Sequence, residues 1–269
     1  MEAQALYASR IFLGAALPLV RVLAEEKEGL RKAFAGKSGV IEVSAADGTK
    51  GAGSEGVGRV GTHFVVTEGR IRVVPGLADK PDLSLSFPSV EALNAFFSGR
   101  SKALPRIAGG LRKPGLLLAF FRTLLAMAAA LGAKEAPEDP KEAALLVKLF
   151  FFLLTSGISQ LNKAGHPEVA KWAAASPDRV YALAVLGEPE LSAYVRVKAG
   201  NTKAVRGLYE RSKPFFTLAF DSPASALGIL LDKDEMLAAT AAGRIVMQGA
   251  PEYGAMLGEF LLLVGSLAK

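Results

Sequence analysis

Pro81-Asp-Leu-Ser-Leu-Ser-Phe87 returns further along the chain as Pro214-Phe-Phe-Thr-Leu-Ala-Phe220, and this recurrence decides how the rest is read. In both stretches every second residue is apolar, the period of a strand with one face turned to a core. Leu83, Leu85 and Phe87 thus fall opposite Phe216, Leu218 and Phe220. Beyond the strand, residues 98–115 align with 232–249 without a gap, setting Ala108-Gly109 against Ala242-Gly243, Leu111 against Ile245 and Gly115 against Gly249. Each copy then closes on an apolar helix, from Leu116 to Leu131 and from Glu252 to Leu267. Strand, helix, strand and helix in one repeated order are the signature of an internal duplication, and predict equivalent strand order over 38–132 and 179–268.

Upstream, residues 2–34 carry Leu6, Leu13, Leu17, Val20 and Leu23 at helical spacing, with Pro18 placed to kink the helix. Past Gly36 the period shortens, and 40–43, 59–68, 70–74 and 83–87 read as antiparallel strands separated by Gly, Pro and Asp. Ser89 is placed to cap a helix whose stripe is Ala92, Leu93, Phe96 and Phe97 and which stops at Gly99. Lys134 to Lys141 holds two prolines among alternating charges, the composition of an exposed linker. The expected organisation is therefore a helix plus first domain over 1–134, a linker at 135–141, and a helix plus second domain over 142–269. The fold class expected is α+β.

The chain has 269 residues, 51% of them apolar, which suits two domains with real cores. It has no cysteine, so disulfides, thiolate metal sites and thiol nucleophiles are excluded. His63 and His166 lie in opposite halves, without metal-ligand spacing. The net charge of +6 is all N-terminal: residues 1–137 hold 18 basic against 12 acidic groups, and the remainder 14 against 14. No acid occurs between Glu91 and Glu135, where Arg100, Lys102, Arg106, Arg112, Lys113, Arg122 and Lys134 fall. The apolar segments 11–24, 116–133 and 143–158 are broken by Pro18 and Arg21, by Arg122 and by Lys148, short of the ~18–20 uninterrupted residues of a span. With no cationic leader at the start, a soluble cytoplasmic protein is expected.

Gly51-Ala-Gly53-Ser-Glu-Gly56 matches the dinucleotide pattern GxGxxG, but a strand follows it where a helix should supply amides to a pyrophosphate, so it reads as a hairpin loop. No Gly-x-Ser-x-Gly elbow occurs, and Asp232, Asp234 and Glu235 beside Lys233 read as a solvated helix end. The sequence therefore points away from an enzyme, and no cofactor is implied.

The run of strand, Asp/Phe-Ser, helix, Ala-Gly, x-x-x-Gly and terminal helix resembles the sterol carrier protein type 2 family. Pro81-Asp82, Phe87-Pro-Ser-Val-Glu-Ala-Leu93 and Leu111-Arg-Lys-Pro-Gly115 carry it in the first copy. Phe220-Asp-Ser-Pro and Gly243-Arg-Ile-Val-Met-Gln-Gly249 carry it in the second, so that it covers roughly 36–132 and 178–268. One departure is Pro114, which would remove a ladder donor and leave that strand irregular or at an edge. The resemblance implies, twice over, a small mainly antiparallel sheet packed on helices around a lipid tunnel.

That tunnel should be better formed in the second copy, with Phe216, Leu218 and Phe220 on the strand and Leu227 and Leu230 on the next helix. Met236, Met247, Met256 and Phe260 would supply an adaptable wall, and Leu83, Leu85, Phe87 and Phe96 are their counterparts in the first copy. The ligand expected is a fatty acyl chain, isoprenoid or sterol-like lipid; an accessory protein acting through a partner surface is the competing reading. Arg100, Lys102, Arg106, Arg112 and Lys113 are either a solvated face or a contact with an anionic membrane. Nucleic acid is disfavoured, since no recognition motif accompanies the charge.

Overall fold

The computed structural model describes residues 2–50, 57–101 and 103–268; the glycine-rich motif at 51–56 and Lys102 lie outside the described residues. The chain divides into two compact units, Met1–Ala129 with Ala268–Lys269, and Ala130–Leu267.

Unit one opens with helix α1 (Glu2–Ile11), a π-helical turn (Phe12–Ala16), α2 (Leu19–Glu26) and α3 (Glu28–Phe34). Proline has no N–H to continue an α-helical ladder, and ahead of Pro18 the Leu17 amide reaches back five residues to the Phe12 carbonyl at 2.9 Å. The Leu13 carbonyl, released from Leu17, instead accepts the buried Thr62 hydroxyl at 2.7 Å. The kink expected from Pro18 is thus also the point where the helix is pinned to the sheet.

The sheet contains β1 (Gly39–Lys50), β2 (Val57–Thr67), β3 (Arg70–Pro75), β4 (Leu83–Phe87) and β5 (Arg106–Ala108), in the order β3-β2-β1-β4-β5. It is mixed rather than antiparallel throughout, because β1 and β4 pair parallel. The reason lies in residues 76–82. After three antiparallel strands the chain must return to the starting end of β1, and it does so across the outer sheet face. The Ala78 amide donates to the buried Glu42 carboxylate at 2.9 Å, and the Asp82 amide to the Val40 carbonyl at 2.9 Å. Ile41, Val43, Phe64, Leu83 and Leu85 fill the inner face. Over it lie α4 (Val90–Phe97), capped by Ser89 accepting from the Ala92 amide, and α5 (Pro114–Leu131), whose Phe120 meets Phe64 edge-on at 5.1 Å.

Unit two repeats the order with α6 (Pro140–Lys163), α7 (Pro167–Ala175), β6 (Arg179–Val185), β7 (Ala193–Lys198), β8 (Asn201–Arg206), β9 (Phe216–Phe220) and α8 (Pro223–Leu230). It ends with α9 (Met236–Ala241), β10 (Ile245–Gln248) and α10 (Pro251–Leu267). Its sheet runs β10-β9-β6-β7-β8, the same sequence of neighbours, with β6 and β9 parallel. Even the register agrees: Ile41 faces Leu83 and Val43 faces Leu85, as Tyr181 faces Phe216 and Leu183 faces Leu218.

Past β4 and β9 the gapless alignment fails. Ile107 pairs with Leu85 where Met247 pairs with Leu218, so β5 is the counterpart of β10 and Gly109 that of Gly249. Both glycines have positive φ, 78° and 123°. A Cβ on Gly109 would meet the Asp82 carbonyl oxygen, and one on Gly249 the Phe215 carbonyl oxygen, the residues just ahead of β4 and β9. The first unit is shorter between these points, with no counterpart of α9 among its described residues. Leu111 lies in a turn, wholly exposed, and Pro114 begins α5, where a missing N–H is harmless. It interrupts no strand, which removes the reason for expecting a poorer first copy.

As helices, Ala3–Glu26, Pro114–Leu131 and Pro140–Lys163 are long and apolar enough to cross a membrane once one or two charges are tolerated. Two-thirds of the first and third is buried, against 33% of Pro114–Leu131.

Candidate functional site

The residues expected to line a cavity in unit two come together between the inner sheet face and the helices. Phe216, Leu218 and Phe220 are buried on β9, Leu227 on α8 and Phe260 on α10. Leu230, Met236, Met247 and Met256 are half-buried, and Met247 pairs with Leu218 across β9 and β10. Phe216, Leu227 and Ala226 have 0% exposure, so no water-sized space adjoins them. Gly254 lets the first turn of α10 rest directly on the sheet, since a Cβ there would lie 3.0 Å from both Met247 Sδ and Phe216 Cζ. The layer is closed around Phe216, Ala226 and Leu227.

Its polar end is at the start of β6. Arg179 and Tyr181, two apart on one strand, share the inner face. The Arg179 guanidinium stacks 3.9 Å from the centre of the Phe215 ring and 5.2 Å from that of Tyr253, and donates to the Tyr253 hydroxyl at 3.4 Å. Tyr181, buried, meets Trp172 of α7 at 5.3 Å and Phe215 at 5.7 Å, and Trp172 meets Phe260 at 5.2 Å. Two buried donors in this aromatic group, Trp172 Nε1 and the Tyr181 hydroxyl, make no hydrogen bond of ordinary geometry. Desolvation, the strongest single influence on Arg179, opposes its charge, but the Tyr181 and Tyr253 hydroxyls together outweigh it and raise its pKa. A fixed cation, the unpartnered Trp172 Nε1 and the Tyr181 hydroxyl beside Arg179 thus belong to one aromatic group at the start of β6, an arrangement able to receive an oxygen atom of an otherwise apolar molecule.

Arg179, Tyr181, Phe215, Trp172 and Tyr253 are not among the residues that the sequence singles out. The available signal was the alternation of 179–185, which puts Arg179 and Tyr181 in phase with Leu183 and Val185.

In unit one, Leu83, Leu85 and Phe87 are buried and Phe96 is half-buried, 5.3 Å from Phe87. Of the basic set, Arg100, Arg106 and Arg112 are exposed. Lys113 is tied down instead, pairing with Asp82 at 2.9 Å and donating to the Ser38 carbonyl at 3.0 Å. The Val40 amide, and then Lys113, hold the Asp82 carboxyl below its ordinary range. Beneath the crossing loop, a cleft of about 240 Å³ is lined by Val40, His63, Val65 and Leu77 to Lys80. His63 Nδ1 lies 3.0 Å from the Gly76 carbonyl there.

No family model and no curated protein matches the chain. Among solved structures it is similar to a conserved hypothetical protein of Thermus thermophilus described as a possible sterol carrier protein, at 19% identity and a TM-score of 0.28, over 50% of this chain and 90% of that one. It is also similar to a double mutant of the sec-alkyl sulfatase PisA1, at 13% identity and a TM-score of 0.26, over 64% of this chain and 29% of the sulfatase. At such TM-scores neither likeness carries weight, and the α+β class rests on the two mixed sheets and the helices packed on them.

Proposed function

We propose that the chain is a non-catalytic pair of sterol-carrier-like domains, and that unit two binds a hydrophobic small molecule, a fatty acyl chain, isoprenoid or sterol-like lipid, for transfer or presentation. The observation that carries this is the cation-bearing aromatic end of an apolar layer, with Trp172 Nε1 buried and unpartnered and the buried Tyr181 hydroxyl beside the Arg179 guanidinium. The apolar body would enter by displacing the half-buried Met236, Met247 and Met256, whose unbranched side chains repack readily. The competing reading, an accessory protein working through its surface, is favoured by the closed packing at Phe216, Leu227 and Ala226.

Native mass spectrometry and titration with a fluorescent fatty acid separate the two. Binding predicts a lipid adduct and saturable uptake. Arg179→Leu should weaken a fatty acid roughly tenfold, the loss of one charge-assisted contact, and leave an uncharged sterol unchanged. Ala226→Phe, a near-neutral change in an open tunnel, should cost about 1–3 kcal/mol in this closed layer. No adduct and no uptake would leave the accessory reading standing.

A further inference from the structure

Helix α5 has an apolar face on each side. Leu116, Ala119, Phe120, Leu124 and Met127 are buried, while the opposite face presents Leu118 and Leu125, 62% and 69% exposed, with the exposed Arg122 between them. An ordinary surface helix would carry Glu and Lys there. The apolar surface runs on into the preceding segment: a Cβ on Gly110 would lie 2.8 Å from Leu117 and 3.5 Å from Ile107, so these two side chains flank a strip of bare backbone. Leu111 beside it is 100% exposed, and Leu104, ahead of β5, is 73% exposed. Arg100, Arg106 and Arg112 are exposed along the same stretch, which has no acid between Glu91 and Glu135.

We infer that unit one docks peripherally on an anionic bilayer through the outer face of α5 and residues 104–112. The leucines enter the boundary between headgroups and acyl chains, and the arginines engage lipid phosphates. Spanning is opposed by Arg122 at mid-helix and by the use of the other face to pack Phe120 on Phe64. A second copy fits poorly, since joining two such faces sets arginine against arginine with no acid to offset it. Nucleic acid fits poorly as well, because solvent-exposed leucines between the cations have no role on a phosphate backbone. Lys113 is excluded from the docking set by its pairing with Asp82. Docking of unit one is independent of the ligand proposed for unit two.

The full chain should co-sediment with phosphatidylcholine vesicles containing phosphatidylserine and not with phosphatidylcholine alone. Binding should weaken as salt is raised past roughly 0.1 M, where the Debye length falls below about 10 Å. Each cation near the surface is worth about fivefold in binding. Arg106→Glu with Arg112→Glu should therefore lower it at least about tenfold, and so should Leu118→Ser with Leu125→Ser. All four positions are exposed, so the melting temperature should hold, and a variant that melts early is replaced by its single substitutions. Equal binding to neutral vesicles, no binding to anionic ones, or indifference to the leucine pair would overturn the inference. So would a dimer of the parent that the leucine pair disperses, which would assign the face to a second copy.

Discussion

Replacing Gly109 with alanine would drive a methyl carbon into the Asp82 carbonyl oxygen, at a residue whose φ is +78°. The positive φ alone costs roughly 1–2 kcal/mol for an L-residue. The contact is with backbone, so relief must come from moving β5 away from β4, across the pairing of Ser84, Leu85 and Ser86 with Ala108, Ile107 and Arg106. Losing two of those hydrogen bonds adds about 1 kcal/mol each, for a total near 3–4 kcal/mol. In a unit of this size that is about 10 °C of melting temperature. Gly115→Ala supplies the contrast. Its Cβ would approach only the flexible Lys37 side chain, at 3.0 Å, and it sits in the first turn of α5, where alanine is better than glycine by up to about 1 kcal/mol. Differential scanning calorimetry on both variants decides which glycine is the counterpart of Gly249. If Gly109→Ala melts within about 2 °C of the parent while Gly115→Ala falls by about 10 °C, the equivalence of β5 and β10 is wrong.

Two further changes test how unit one is held together. Thr62→Val leaves the Leu13 carbonyl without the hydroxyl it accepts, and should cost about 1–3 kcal/mol in urea unfolding with an unchanged m-value. The Asp82 carboxyl is held below its ordinary pKa, so the stability it contributes is complete above that ordinary value and disappears as pH falls through the lowered one. Acid unfolding of unit one should therefore steepen below about pH 4, and Asp82→Asn should flatten that limb. At neutral pH the substitution should cost only about 1 kcal/mol, because the Asp82–Lys113 pair is partly solvated.

The strand faces were legible because alternation is a local property. Leu83, Leu85 and Phe87 could be set against Phe216, Leu218 and Phe220 without knowing any partner. Direction was not legible, since alternation looks the same in a parallel and an antiparallel pair. What makes β4 parallel to β1 is a crossing loop anchored on Glu42, a carboxylate that the pattern alone would send to solvent. The gapless alignment was misled by two Ala-Gly pairs with different work to do. Gly243 stands in open space just past α9, whereas Gly109 lies against backbone at the exit of β5. Lys113 looked free within its basic run because Asp82, its partner, is distant in sequence and is brought close only by the sheet.

Core register is shared between the units, but the corner where each parallel pair begins is not, and that difference bears on function. Gly39 and Arg179 are equivalent positions, two residues ahead of Ile41 and Tyr181 in matched strands. In unit one a Cβ on Gly39 would lie 2.9 Å from Lys113 Nζ and 3.0 Å from an Asp82 carboxylate oxygen, so a cation already occupies the corner, delivered from the start of α5 and neutralised on the spot. In unit two the strand supplies its own cation, Arg179, and the position of Asp82 is held by Phe215, whose ring lies against the guanidinium. A carboxylate has been exchanged for an aromatic face, which attracts a cation but cannot cancel its charge. The same corner is therefore internally satisfied in unit one and retains a positive charge beside the unpartnered Trp172 Nε1 in unit two. Under the proposed function, an acidic or hydroxylated lipid end would find its complement in the corner of unit two, because the corner of unit one is already neutralised by Lys113 and Asp82.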